Sequence, residues 1–154
     1  MQTLFTRGFI TALILCSAFL LNTTEAAAPT FKAKGKVVTA DPEAVAAANR
    51  WLAKVDTGNY RDAWDAFAPR IKRGGTATED QWVGYEKSRR TPLGHAVSRA
   101  LFRARFTNIL AGAPDGNYEF LDYRTSFERK KQAFEVVTLT KESGHWEVSG
   151  YKCW

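Results

Sequence analysis

Histidine, cysteine and methionine are scarce in this 154-residue chain, which has two, two and one of them. His95 and His145 stand fifty residues apart, and neither has a second metal ligand at helical or hairpin spacing. That weighs against a zinc or non-haem iron site, and no metal or cofactor is expected. Two cysteines cannot build a disulfide scaffold. There is no Gly-x-Ser-x-Gly, no Walker loop, no Gly-x-Gly-x-x-Gly and no Cys-His arrangement of the kind a nucleophile needs, so hydrolase and nucleotide-dependent readings drop out. Internal repeats are absent, and past residue 28 no apolar run reaches the roughly 20 residues of a spanning helix. What the chain does have is 45% hydrophobic, 25% charged and 13% aromatic residues, the composition of one folded domain. Twenty-two basic residues against 16 acidic ones make it mildly basic, with a formal charge of +6.

The first 28 residues read as an address. Arg7 precedes an apolar run from Phe9 to Leu21, followed by a polar stretch and then Ala26, Ala27 and Ala28. This is the pattern of a cleaved secretory signal peptide, with cleavage placed after Ala28 and Ala26 or Ala27 as alternatives. Leu15 stands where a lipobox before Cys16 would place a small residue, so a lipid anchor is not expected. The protein is therefore expected to be exported, to the periplasm or outside the cell. Residues 29–41 form a linker or edge segment and residues 42–154 a single domain. Cys153, the cysteine left after cleavage, is expected to be an inert thiol in a frayed terminus.

Helical spacing dominates the first half of the domain. Asp41-Pro42-Glu43 starts a helix whose Val45, Ala48, Trp51, Leu52 and Val55 share one face, and Gly58 ends it. A second helix is predicted from about Tyr60 to Phe67, with Pro69 marking its end. After a flexible Arg73-Gly74-Gly75 connection, Thr78-Glu79-Asp80-Gln81 has the form of a capping box and opens a third helix, stopped at Thr91-Pro92-Leu93-Gly94.

From His95 the period becomes two. Ala100, Phe102, Ala104 and Phe106 alternate with Arg99, Leu101, Arg103 and Arg105, predicting a strand with one dry face and one largely basic face. Ala113 to Asn117 is a hairpin signal, and strands follow at Tyr118 to Phe127, Ala133 to Thr140 and His145 to Tyr151. Three helices followed by four antiparallel strands make an α+β domain, in which a curved sheet packs against the helices on one face.

An ordered series of motifs runs through this pattern. They are Ala48-x-x-Trp51-Leu52, Asp56-x-Gly58-x-Tyr60-x-x-x-Trp64, Pro92-Leu93-Gly94 with Ser98-Arg99, Pro114-Asp115-Gly116-x-Tyr118, Tyr123-x-Thr125-x-Phe127, Glu135-x-Val137-Thr138-Leu139 and Trp146-x-Val148-x-Gly150-Tyr151. From about Ala44 to Tyr151 the chain resembles the family called domain of unknown function 4019, which consists of small exported bacterial proteins. The resemblance implies a Gram-negative exported protein with a cone-shaped sheet similar to nuclear transport factor two and the cystatin-like folds. It implies no activity.

The candidate chemistry is thin. Asp122 and Tyr123 are adjacent on a strand and point to opposite faces, so they cannot line one pocket without a bulge. Asp56, Asp62 and Asp65 read as helix-end and solvent charges. The basic stripe of Arg99, Arg103 and Arg105, with Arg89 and Arg90 near it in sequence, is the sharper feature. It suits an acidic protein or another acidic component of the cell envelope, the plainer alternative being a solvated face paired with Glu119, Glu128 or Glu135. Nucleic acid is not expected, because Phe102 and Phe106 fall on the face opposite the arginines. The aromatic series Trp51, Trp64, Trp82, Phe102, Phe106, Phe134 and Trp146 reads as core. The composite expectation is a non-enzymatic binding module. The alternative is a carrier of a small apolar ligand, or an enzyme of isomerase type with its site inside the cone.

Overall fold

The computed structural model describes residues 39–75 and 77–154, so the expected signal peptide and residues 29–38 of the expected linker lie outside the described residues. The described chain runs through four α-helices, a 3-10 turn and four strands. Helix α1 (Pro42–Asp56) starts as its sequence dictates: the Asp41 side chain accepts from the Glu43 amide at 2.8 Å and Pro42 takes the first helical position. Its buried stripe is Ala44, Ala47, Ala48, Trp51, Leu52 and Val55. The chain leaves the helix through Gly58 at φ 77°, a conformation that costs glycine little. Asp41 also ties α1 to the rest of the fold. It accepts from the Trp146 indole at 2.8 Å, and its own amide donates to Glu119 at 3.0 Å. The Trp146 bond, followed by the Glu43 amide, holds the Asp41 carboxyl below its ordinary pKa.

Helix α2 (Tyr60–Asp65) is followed by a short helix that the sequence reading did not contain, α3 (Pro69–Gly74). Pro69 starts that helix rather than merely ending its predecessor, because proline lacks only an amide that the first turn leaves unbonded anyway. Helix α4 (Glu79–Arg90) carries the predicted capping box, with both reciprocal bonds between Thr78 and Gln81 formed, and a 3-10 turn (Thr91–Leu93) closes it.

Strands β1 (Ala96–Thr107), β2 (Tyr118–Phe127), β3 (Ala133–Thr140) and β4 (Glu147–Cys153) form one antiparallel sheet in the order β1-β2-β3-β4. Helix α1 lies against β2, β3 and β4. Between them Trp51, Leu52, Val55, Trp64 and Phe67 meet Leu121, Tyr123, Val137, Leu139, Trp146 and Val148. Fully burying one such side chain contributes about 1.5–3 kcal/mol, so this apolar layer dominates the stabilisation. Trp51 sits 5.3 Å from Phe67, 6.1 Å from Trp82 and 5.0 Å from Tyr151, ring centre to ring centre, and its indole N–H donates to the Ala63 carbonyl.

Two irregularities in β1 decide where its side chains go. Val97 is one extra residue against β2, and Phe102 is another, since Leu101 pairs with Tyr123 while Arg103 pairs with Asp122. A bulge advances the alternation by one, sending the following side chains to the other face. The predicted division of β1 is corrected accordingly. Arg99, Leu101, Ala104 and Phe106 take the helix side of the sheet. Ala100, Arg103 and Arg105 take the outer side, and Phe102 lies beside Phe134 at 6.0 Å.

The aromatic series is corrected with it. Trp51, Trp64 and Trp146 are buried and Trp82 packs against them, but Phe106 and Phe134 stand 59% and 40% exposed. Cys153 is not frayed. It is the last residue of β4, buried beside Phe127 and Ala133, and burial raises its thiol pKa.

Candidate functional site

The five arginines singled out by the sequence fall into three places. Arg90, from the end of α4, and Arg99, from β1, enter the helix side of the sheet. Arg90 donates to Glu135 at 3.0 Å and to Asp56 at 2.5 Å, while Arg99 reaches the same two carboxylates at 2.7 and 2.8 Å. Glu135 is wholly buried and also accepts from Thr125 and from Tyr151, the latter at 2.6 Å. Two cations and two carboxylates thus neutralise one another, and Phe127 lies 4.4 Å from the Arg90 guanidinium. Burial works against charge on Arg99, but its hydrogen bonds to Asp56 and Glu135 outweigh it and raise its pKa. Arg90 is raised likewise, with Tyr151, Glu135 and Asp56 overcoming the burial. Asp56, read from sequence as a helix-end charge in solvent, is a working member of this cluster.

Arg103 and Arg105 occupy the outer face. Both bind Asp122, which is 1% exposed, Arg103 through Nε and Arg105 through one terminal nitrogen at 3.1 Å. Their side chains remain 58% and 48% exposed, against 3% for Arg90 and 16% for Arg99. Each guanidinium carries five donors, so one bond to Asp122 fixes its orientation and leaves the others facing water. Arg89 stays on α4 and donates to Tyr85 at 2.7 Å.

Strand register completes the outer face. One row across it reads Ala100, Arg124, Phe134 and Trp154, and the next Arg103, Asp122, Val136 and Lys152. Trp154 stacks on Phe134 at 6.2 Å, Phe134 meets Phe102, and Arg124 lies over the Phe102 ring at 4.8 Å. A shallow hollow of about 230 Å³ runs among Phe102, Arg103, Asp122, Phe134, Val136 and Trp154. The charges on this face are Arg103, Arg105, Arg124 and Lys152 against Asp122 and, at the end of β4, Glu147. The result is a cationic surface set with exposed rings.

On the helix side a polar cleft of about 240 Å³ opens where Asp56, Tyr60, Arg90, His95, Glu128 and Arg129 converge. Both oxygens of Asp56 are already bound by arginines there, which leaves it poorly placed to act as a base. Nearby on α4, Glu86 is buried with one oxygen lacking a hydrogen-bond partner among the described residues. Burial pushes its pKa up to about 7. Asp122 and Tyr123 do point to opposite faces as expected, and burial raises the Tyr123 phenol to about 12. Among the described residues no three metal-ligating side chains gather, and no helix is long and apolar enough to cross a membrane.

Glu135 was read from sequence as a possible partner of the arginines on a solvated face, and it does bind Arg99, but in the interior; the binding of Arg103 and Arg105 by Asp122, and the place of Trp154 on the outer face, were missed. A carboxylate inside a β-forming run, at Asp122 in Tyr118–Phe127 and at Glu135 in Ala133–Thr140, is the signal that points to the two acids. No curated protein and no solved structure matches the chain. Residues 47–151 match the family described as "Protein of unknown function (DUF4019)", and the chain belongs to that family.

Proposed function

We propose that this protein is an exported, non-enzymatic binding module that recognises an acidic protein through the outer face of its sheet. The observation that carries the reading is the pair Arg103 and Arg105. Both are oriented by a buried carboxylate; Arg103 lines the hollow that holds the exposed rings of Phe134 and Trp154, and Arg105 lies over Phe120. Orientation before binding reduces the entropy lost on association, and Arg with large aromatic rings is the composition of binding hot spots. Export rests on the Arg7, Phe9–Leu21 and Ala26–Ala28 pattern. We read the sheet as a cone-like wrap around the helices, in the manner of nuclear transport factor two and cystatin-like folds. The bulges in β1 and the irregularity between Thr138 and Leu139 supply the curvature such a wrap needs. The carrier and isomerase alternatives draw less support, because Trp51, Phe67 and Trp82 fill the space on the helix side where an apolar ligand would sit.

The bulge also removes one argument against nucleic acid, since Phe102 lies with the outer-face arginines and not opposite them. Single-stranded nucleic acid therefore belongs among the probes. The test is binding of the mature chain to polyglutamate, to a single-stranded oligonucleotide and to anionic vesicles, with and without Arg103→Glu plus Arg105→Glu. Salt-sensitive binding to polyglutamate that the double variant abolishes is the expected result. Preference for vesicles or the oligonucleotide, or binding that survives charge reversal, would overturn the reading.

A further inference from the structure

The two edges of the sheet are treated differently. At β4 the segment between α2 and α3 covers part of the edge: Phe67 bridges to Val148, and the Ala68 amide donates to the Val148 carbonyl at 2.8 Å. At β1 no hydrogen bond from the described residues reaches the outer edge between Ala96 and Phe106. Exposed apolar side chains collect along the same edge, at Val97, Phe106 and, just beyond the strand, Ile109, which are 57%, 59% and 75% exposed. A bare edge flanked by apolar groups is a template for another strand.

We infer that the stretch Arg103–Thr107 of β1 is the docking edge, where an extended acidic segment of a partner protein adds as a further strand. This rests on the reading of the outer face as acid-recognising. The register supplies the specificity. Arg103 and Arg105 are two apart and point outward, so carboxylates at alternate positions of the incoming strand meet them in turn. The intervening side chains of that strand point to the helix side, where Phe106 stands exposed, and apolar ones cover it and Ile109. Backbone pairing supplies affinity, and the alternation of acid and apolar residue supplies selectivity. Two other occupants fit less well. A second copy pairing antiparallel on the same edge sets arginines beside arginines, and like charges directly opposite destabilise a ladder. The chain's own residues 29–38 carry Lys32, Lys34 and Lys36, the same sign as the edge.

The experiment titrates the isotopically labelled mature chain with a capped octapeptide alternating Glu and Val. Its companions are a Lys-for-Glu version and a version N-methylated at alternate residues to remove the donors that face the edge. The inference expects slowed hydrogen exchange at amides within 103–107, at least tenfold weaker binding of the N-methylated peptide, and no binding of the lysine peptide. Arg103→Glu plus Arg105→Glu should lose at least tenfold in affinity for the Glu-Val peptide. Equal affinity of the N-methylated peptide, with shifts centred on Phe134 and Trp154, would overturn strand addition while leaving acidic recognition by the outer face in place. Indifference to charge reversal would overturn both. Protection in the free chain of the alternate amides in 103–107 that point away from β2, or a free chain that runs as a dimer through β1, would overturn the docking edge alone.

Discussion

Arg99 and Arg103 are four residues apart on β1, yet one serves the interior and the other the surface. Arg99 lies with Arg90 against Asp56 and a wholly buried Glu135, while Arg103 shares Asp122 with Arg105 and stays more than half exposed. The residue that separates these roles is Phe102, whose bulge turns the alternation over. The comparison teaches that identical side chains on one strand contribute on different scales. Breaking a buried ion cluster leaves an uncompensated charge in the interior, at a cost of about 3–5 kcal/mol, whereas removing the exposed Arg103 leaves Asp122 paired with Arg105 and costs about 0–1 kcal/mol.

The largest effect should follow from Glu135→Ala. It strips both inner arginines of a shared carboxylate and opens space under Tyr151, and urea unfolding should show a loss of about 3–5 kcal/mol. Asp122→Asn should be milder, at about 1–3 kcal/mol, because Arg103 and Arg105 can turn to water once released. Its affinity for the Glu-Val peptide should fall together with the arginine order that Asp122 imposes.

The third prediction concerns pH and the helix side. Glu86 has an ordinary pKa of 4.5 and one of about 7 when buried, facing Arg89, Arg90 and Glu135. Between those values the folded chain holds the proton and the unfolded chain has lost it. Stability therefore falls as pH rises through that window, and the loss is complete above it. Glu86→Gln, which cannot ionise, should raise the melting temperature at pH 8 by about 4 °C, corresponding to about 1 kcal/mol, and change it little at pH 4. The smallest effect is expected from Arg103→Gln, which leaves Arg105 on Asp122 and should alter stability by less than about 1 kcal/mol while weakening capture of acidic ligands.

How much of this was legible differs by element. The caps at Asp41 and Thr78, the apolar stripe of α1 and the extents of β2 and β3 follow from local rules that residues state individually. Helix α3 was hidden because Pro69 can end one element and begin another. The face of β1 was hidden because a bulge leaves no mark on hydrophobic alternation: reading Phe102 as one more step of a regular strand puts Arg103 and Arg105 with Arg99. Glu135 defied the rule that strand carboxylates point to water, since its burial is offset by arginines 36 and 45 residues away in sequence and by the hydroxyls of Thr125 and Tyr151. Pairings of that span are a property of the folded chain. The outer-face rings were lost for the same reason, because placing Glu135 inward puts Phe134 outward.

Equilibrium urea unfolding of Arg99→Gln beside Arg103→Gln, which leaves Arg105 on Asp122, tests the division most directly. The division predicts a loss of about 3 kcal/mol or more for the inner substitution and less than about 1 kcal/mol for the outer one. Equal losses, or a larger loss from the outer substitution, would contradict it.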